Sequence, residues 1–186
     1  MHPSLPRLLT AWLLLTLLTH LMLLAPAASA AEVEVEPGSG SWPLRPRPAV
    51  VRGFDQPSSA WGAGHRGADL AGHVGQPVRA AQAGTVSFVG RIAGVGSVSV
   101  SHGSTRTTYQ PVEASVRRGV AVAEGAVIGH LALVGSHCLP RACLHWGLIA
   151  GDTYLDPLIL VGAAPQPVRL LSPLAPLSRT AAIVLP

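Results

Sequence analysis

The sequence predicts an all-β fold, a single small antiparallel β-sheet domain, and three observations carry that expectation. Glycine and proline supply 20 and 17 of the 186 residues, a density that breaks helices and provides the turns between short strands. Apolar residues recur at alternate positions in brief runs punctuated by glycine, the period of a strand rather than a helix. The length suits one domain of ordinary size and excludes two substantial ones. The glycines have no three-residue period, which excludes collagen.

Residues 1–30 read as a secretory signal, with Arg7 in a short basic region, an apolar stretch from Leu8 to Leu24, then Pro26 and the small-residue site Ala28-Ser29-Ala30. Cleavage before Ala31 makes the rest extracytoplasmic, secreted or associated with the cell wall, and free of the membrane. An uncleaved anchor is the alternative, since the apolar stretch approaches the length of a minimal span. With no cysteine near the cleavage site, a lipid-anchored lipoprotein is not expected. In residues 31–49, Glu32, Glu34 and Glu36 alternate with Val33 and Val35, and Pro-Gly-Ser-Gly-Ser and three further prolines follow without a hydrophobic period. That composition predicts a linker.

The domain is expected over residues 50–162. Its strands are read at Thr85–Val89, Ser97–His102, Thr105–Tyr109 and Val127–Leu131. In the second, Val98 and Val100 share a face with His102, while Ser97, Ser99 and Ser101 take the other. Residues 163–186 form a Pro- and Leu-rich tail that fits no element.

All 13 basic residues are arginine, and with nine acidic residues the formal net charge is +4. The arginines stand singly or in pairs and never form a stripe interleaved with aromatics, so the charge does not point to nucleic acid. It is compatible with mild attraction to acidic polymers, those of cell walls included. The only two cysteines are Cys138 and Cys143. A close, even-numbered pair in an exported chain predicts a disulfide. Closing so short a loop removes little unfolded-state entropy, so the bond would act by fixing local geometry.

His65 and Asp69 stand four apart in Gly64-His65-Arg66-Gly67-Ala68-Asp69-Leu70. In an extended segment an even separation puts both side chains on one face, where an imidazole and a carboxylate can share a cation. Such a pair arises often by chance. His145, in Leu144-His145-Trp146-Gly147, offers a third ligand from a distant strand. Two near ligands and one remote one suit a catalytic zinc, which keeps its fourth position for water.

With these residues the chain resembles the lysostaphin and LytM type of zinc metallopeptidase, secreted endopeptidases that cut peptidoglycan peptides. The resemblance spans roughly Gly53 to Leu160. It rests on His65-Arg66-Gly67-Ala68-Asp69-Leu70, Gly75-Gln76-Pro77-Val78-Arg79-Ala80-Ala81, Ala83-Gly84-Thr85-Val86, His102-Gly103, Thr108-Tyr109, Ile128-Gly129, Leu144-His145-Trp146-Gly147 and Leu155-Asp156-Pro157. It implies a β-roll with a groove, one zinc per chain held by His65, Asp69 and His145, and peptidoglycan peptides as substrate. Two assisting histidines of the family are replaced. The Tyr-x-His pattern reads Tyr109-Gln110-Pro111, and the His-x-His pair reads Cys143-Leu144-His145.

A bond between Cys138 and Cys143 would bring His137 beside the site, which makes His137 a candidate for the missing acid–base role, set against a surface-loop histidine. Tyr109 is a candidate oxyanion donor or a packed strand tyrosine. His102 orients the site from behind the ligands or supports the sheet. His73 and His130, beside turn glycines, are expected in solvent. Trp61 and Trp146 are expected in the core rather than stacked on substrate, and Arg66 and Arg141 either meet substrate carboxylates or are solvated. Three functions compete: a zinc endopeptidase acting on peptidoglycan, a non-hydrolytic wall-binding or regulatory module that keeps the metal, and a structural domain in which Cys143 is a fourth metal ligand. The oligomeric state is not legible.

Overall fold

The computed structural model describes residues 35–59 and 61–164. The expected signal at residues 1–30 and residues 165–186 of the expected tail lie outside the described residues. The strands are β1 (Val50–Arg52), β2 (Ala68–Ala71), β3 (Pro77–Arg79), β4 (Gly84–Ile92), β5 (Val95–Ser101), β6 (Thr105–Gln110), β7 (Val112–Ala114), β8 (Ala121–Val122), β9 (Val127–Leu131), β10 (Cys143–Ala150) and β11 (Thr153–Leu155), followed by a 3₁₀ turn at Pro157–Val161. No α-helix occurs among the described residues, and no helix there is long and apolar enough to cross a membrane. The all-β expectation holds. All four strands read from the sequence are present, although β5 stops at Ser101.

The strands make two antiparallel sheets. The larger runs β1-β2-β10-β6-β5-β4-β8, with β11 also on β10, and the smaller runs β3-β9-β7. Strand β10 lies between β2 and β6, and its alternation sorts the molecule into two faces. Leu144, Trp146 and Leu148 point into the core and are fully buried. Register carries this across the sheet: Trp146 pairs Tyr109, and Tyr109 pairs Val98. The opposite face carries Cys143, His145 and Gly147, with Asp69 directly across from His145. The Val/Ser alternation of β5 is as expected, but its serine face is also covered: Ser97 is 2% and Ser99 8% exposed.

The linker expected at residues 31–49 is corrected over 35–49, which is a packed strip of the domain. Leu44 is fully buried and Trp42 packs on the core, its ring 6.4 Å from that of Trp146. Backbone bonds fix the strip along its length: Gly40 N–H donates to Leu160 O, Ser41 N–H to Ala81 O, and Arg79 N–H to Pro43 O. A strip held through its backbone leaves no side-chain period to read.

His102 and Tyr109 belong to the core side. Ala81 N–H donates to the Tyr109 hydroxyl, which bonds Thr107 Oγ1 at 2.8 Å; Thr107 bonds His102 Nε2 at 2.9 Å, and His102 Nδ1–H donates to Ala83 O at 2.8 Å. Complete burial pushes the Tyr109 phenol up to about 12, against the lowering effect of these bonds. His102 is the titratable end of this relay, and its ring nitrogens both have partners. Burial holds that imidazole below the ordinary histidine range, although its bond to Ala83 works the other way.

The unfolded chain therefore takes up this proton at a higher pH than the folded one. The stability His102 contributes is complete above about pH 6.5 and is lost as pH falls through its lower folded value. Between about pH 7 and pH 5 the urea midpoint of the wild type is expected to fall more steeply than that of His102→Asn. Parallel pH profiles would contradict it.

Candidate metal centre

Four side chains converge on the face of β10 away from the core. Asp69 comes from β2, His145 from β10, His65 from the turn before β2, and His137 from the loop before β10. His65 is fixed where it enters, since its backbone N–H and C=O both pair with Asp55 and its Nδ1–H donates to Gly53 O at 2.7 Å. That last bond sets the tautomer and leaves the Nε2 lone pair facing inward. His65 is 5% and Asp69 2% exposed.

Asp69 Oδ1 lies 2.8 Å from His145 Nδ1 and 3.2 Å from His65 Nε2, and the two nitrogens are 3.1 Å apart. Ligands bonded tetrahedrally at about 2.0–2.1 Å stand roughly 3.3 Å from one another. The three donors are thus already spaced close to the edges of a zinc tetrahedron, and two neutral nitrogens with one carboxylate are a donor set zinc accepts. The residues present fit the group. Burial alone would raise the Asp69 carboxyl. The hydrogen bond from His145 and the charges of His65, His145 and His137 outweigh it and hold the group below the usual carboxylate range.

His137 is the most exposed member of the group. Its Nδ1 lies 3.2 and 3.3 Å from the two Asp69 oxygens, it hydrogen-bonds neither other imidazole, and its side chain is 49% exposed. The ring centres of His137 and His145 are 4.8 Å apart. Cys138 and Cys143 are joined as expected, with Cα atoms 5.8 Å apart. The bond takes Cys143 away as a thiolate ligand and removes the support for a structural site in which Cys143 is the fourth ligand.

Of the other candidates, Tyr109 and His102 are in the core relay on the opposite side of the sheet, so the packing reading holds for both. Trp146 is buried as expected, but Trp61 is 97% exposed, contrary to its expected place in the core. His73 and His130 are exposed as expected. Arg66 stacks 5.8 Å over Tyr154, and Arg141 is exposed. Sequence reasoning missed Ser136, a buried residue whose hydroxyl bonds three backbone groups of the His137 loop. A serine between Gly135 and His137 carries no signal in the chain itself.

The model of peptidase family M23 matches residues 63–157, a span that includes all four converging residues. Proteins of Mycobacterium tuberculosis and Mycobacterium bovis, described only as uncharacterized, are 48% identical over 148 residues, which cover 77% of this chain and 59% of theirs. The chain thus spans 59% of the length of these curated relatives. Among solved structures, a zinc-containing peptidase from Vibrio cholerae is 22% identical over 72% of this chain and 41% of that one, with a TM-score of 0.54. The catalytic domain of the antimicrobial peptidase lysostaphin from Staphylococcus simulans is 21% identical over 60% and 90%, with a TM-score of 0.52. At these identities the structural likeness is one of fold.

Gly67 shows how tightly the cluster is fitted. A Cβ there would lie 2.5 Å from Trp146 O and 2.8 and 2.9 Å from the Cε1 and Nε2 atoms of the His145 ring. The carbonyl is backbone of β10 and yields only if the strand moves. Gly67→Ala is expected to destabilise the fold by about 1–3 kcal/mol, measured by denaturant unfolding, and to weaken divalent-metal binding at least about tenfold, measured calorimetrically. Unchanged values would show that the approach is not required.

Proposed function

The chain belongs to peptidase family M23, and from that premise we propose that it is an exported zinc-dependent endopeptidase that hydrolyses peptide bonds of peptidoglycan. The observation that carries the reading is the placement of Asp69 Oδ1, His65 Nε2 and His145 Nδ1 within 3.2 Å of one another. A zinc ion with three protein ligands lowers the pKa of water in its open position to about 7 and polarises a carbonyl oxygen.

The protein's own groups supply the rest. Asp69 contributes one negative charge, and His65 is held by Gly53 O with its lone pair inward. His137 can donate its Nδ1–H to the Asp69 carboxylate, which leaves Nε2 to take a proton from the attacking water and pass it to the leaving nitrogen. Peptide and water then become carboxylate and amine. Peptidoglycan as substrate is supported by the lysostaphin-type resemblance, and an Arg-only net charge of +4 is compatible with acidic wall polymers. Export is supported by the signal-like residues 1–30.

A second reading, a non-hydrolytic wall-binding or regulatory module, is favoured by Pro111 and Cys143 standing where the resemblance expects histidines. The deciding experiment is incubation of the zinc-loaded protein with peptidoglycan and mass analysis of released fragments. New amino termini support the enzyme, and binding without release supports the module. Elemental analysis is expected to find one zinc per chain, lost in His65→Ala and in His145→Ala; stoichiometric zinc in both variants would refute the ligand set. His137→Ala is expected to keep its zinc and to lose about two orders of magnitude in turnover. Loss of the metal would make His137 a ligand instead.

A further inference from the structure

We propose that Ser136 and the Cys138–Cys143 bond form a clasp that sets His137 in its working position, so that hydrolysis requires the disulfide to be oxidised. The inference rests on the function proposed above. Cys143 and His145 are two apart on β10 and share its site face. The sulfur of Cys143 therefore projects where the first histidine of a His-x-His pair would. Bonded to Cys138, it draws that residue's neighbour His137 to the same place, so the bridge returns an imidazole to a position that the strand itself no longer fills.

Ser136 completes the clasp from the other side. Its hydroxyl accepts from Cys138 N–H at 3.1 Å and Cys143 N–H at 3.0 Å and donates to Arg141 O at 3.0 Å. That uses its one donor and both lone pairs. Both neighbours of His137 are thus tied to the start of β10. Among the described residues His137 hydrogen-bonds only Asp69, at 3.2–3.3 Å, its ring lies against that of His145, and its side chain is half in solvent. One such contact does not offset the loss of side-chain and loop freedom, yet proton transfer needs the imidazole held within a fraction of an ångström. The clasp supplies that order. Ser136, Cys138 and Cys143 are positioning residues, because they act through His137.

Reduction undoes the clasp in a balanced step. A small dithiol gives two electrons and two protons to the S–S bond, which becomes two thiols, and the dithiol closes to its own disulfide; an oxidised dithiol reverses the exchange. No contact of His65 or His145 is broken, two thiols are freed within 4.8 Å of the Asp69 carboxylate, and the His137 loop keeps only its serine.

A double-mutant cycle on the zinc-loaded full chain tests the proposal. The Cys138→Ser/Cys143→Ser protein is expected to lose about 10- to 100-fold in turnover, and His137→Ala about 100-fold, with zinc retained in both. The combined protein is expected to be no slower than His137→Ala alone, because one effect acts through the other. Additive losses, loss of zinc from the serine variant or undiminished turnover in it would overturn the proposal. Should the serine variant fail to fold, the wild type titrated with a dithiol gives the same comparison; its loss must occur with zinc content unchanged and reverse on reoxidation, and a loss that tracks zinc release would overturn the proposal.

A further readout needs no turnover. The nuclear Overhauser contact between the His137 and His145 rings is expected in the oxidised protein and lost on reduction, and weakened in Ser136→Ala. Its survival on reduction would refute the clasp. An oxidised wild type that shows the contact but does not cleave peptidoglycan would refute the proposed function and leave the positioning role to this measurement.

Discussion

The structure depends on the two-residue alternation of one strand, β10. Its even-numbered residues Leu144, Trp146 and Leu148 are driven inward by burial, and that choice forces Cys143, His145 and Gly147 onto the other face. Antiparallel pairing then copies the division to the neighbours. Asp69 sits opposite His145 and faces the site, whereas Tyr109 sits opposite Trp146 and faces the core. A shift of one residue in the β2–β10 register would bury the carboxylate among leucines and turn the imidazole away from it. Packing of the core and assembly of the His/Asp cluster are thus one constraint seen from two sides.

The same constraint explains why a carboxylate only 2% exposed is tolerated. A buried anion without partners is expensive, and β2 has no arginine or lysine to offer it. Three imidazoles gather around Asp69 instead, and their charge and hydrogen bonding hold it ionised. Imidazoles are adjustable partners: they stabilise the anion when protonated and present lone pairs when neutral. The Gly53 carbonyl fixes His65, and the missing side chain at Gly67 leaves room for the His145 ring.

Much of this was legible in the sequence because it depends on parity and on counting. The Val98–Val100–His102 alternation located the valine face of β5 and, with it, the side to which His102 belongs; even spacing placed His65 and Asp69 together; and two nearby cysteines left one pairing. What was not legible depends on backbone or on distant chain. The strip 35–49 is held by main-chain bonds to Leu160, Ala81 and Arg79, so its Pro- and Gly-rich composition resembles that of a free linker. Trp61 was assigned to the core from residue type alone, yet its loop turns it outward to 97% exposure. Ser136 has partners that become neighbours only after the loop closes.

Pro111 and Cys143 mark where this chain departs from the pattern it resembles, and the two changes have different physical consequences. Proline at 111 ends β6 and fills a buried position that would otherwise hold an imidazole, so nothing polar replaces what is missing there. Cysteine at 143 is also buried, but its sulfur reaches out of the sheet to a loop that brings a histidine back. A strand-borne group is held by its ladder and needs no further support. A loop-borne one needs ties on both flanks, and that is where Ser136 and Cys138 stand. The sheet keeps the buried charge and the nitrogen of His145, the Asp55 bridge and Gly53 hold that of His65, and the half-exposed imidazole of His137 is left at the rim.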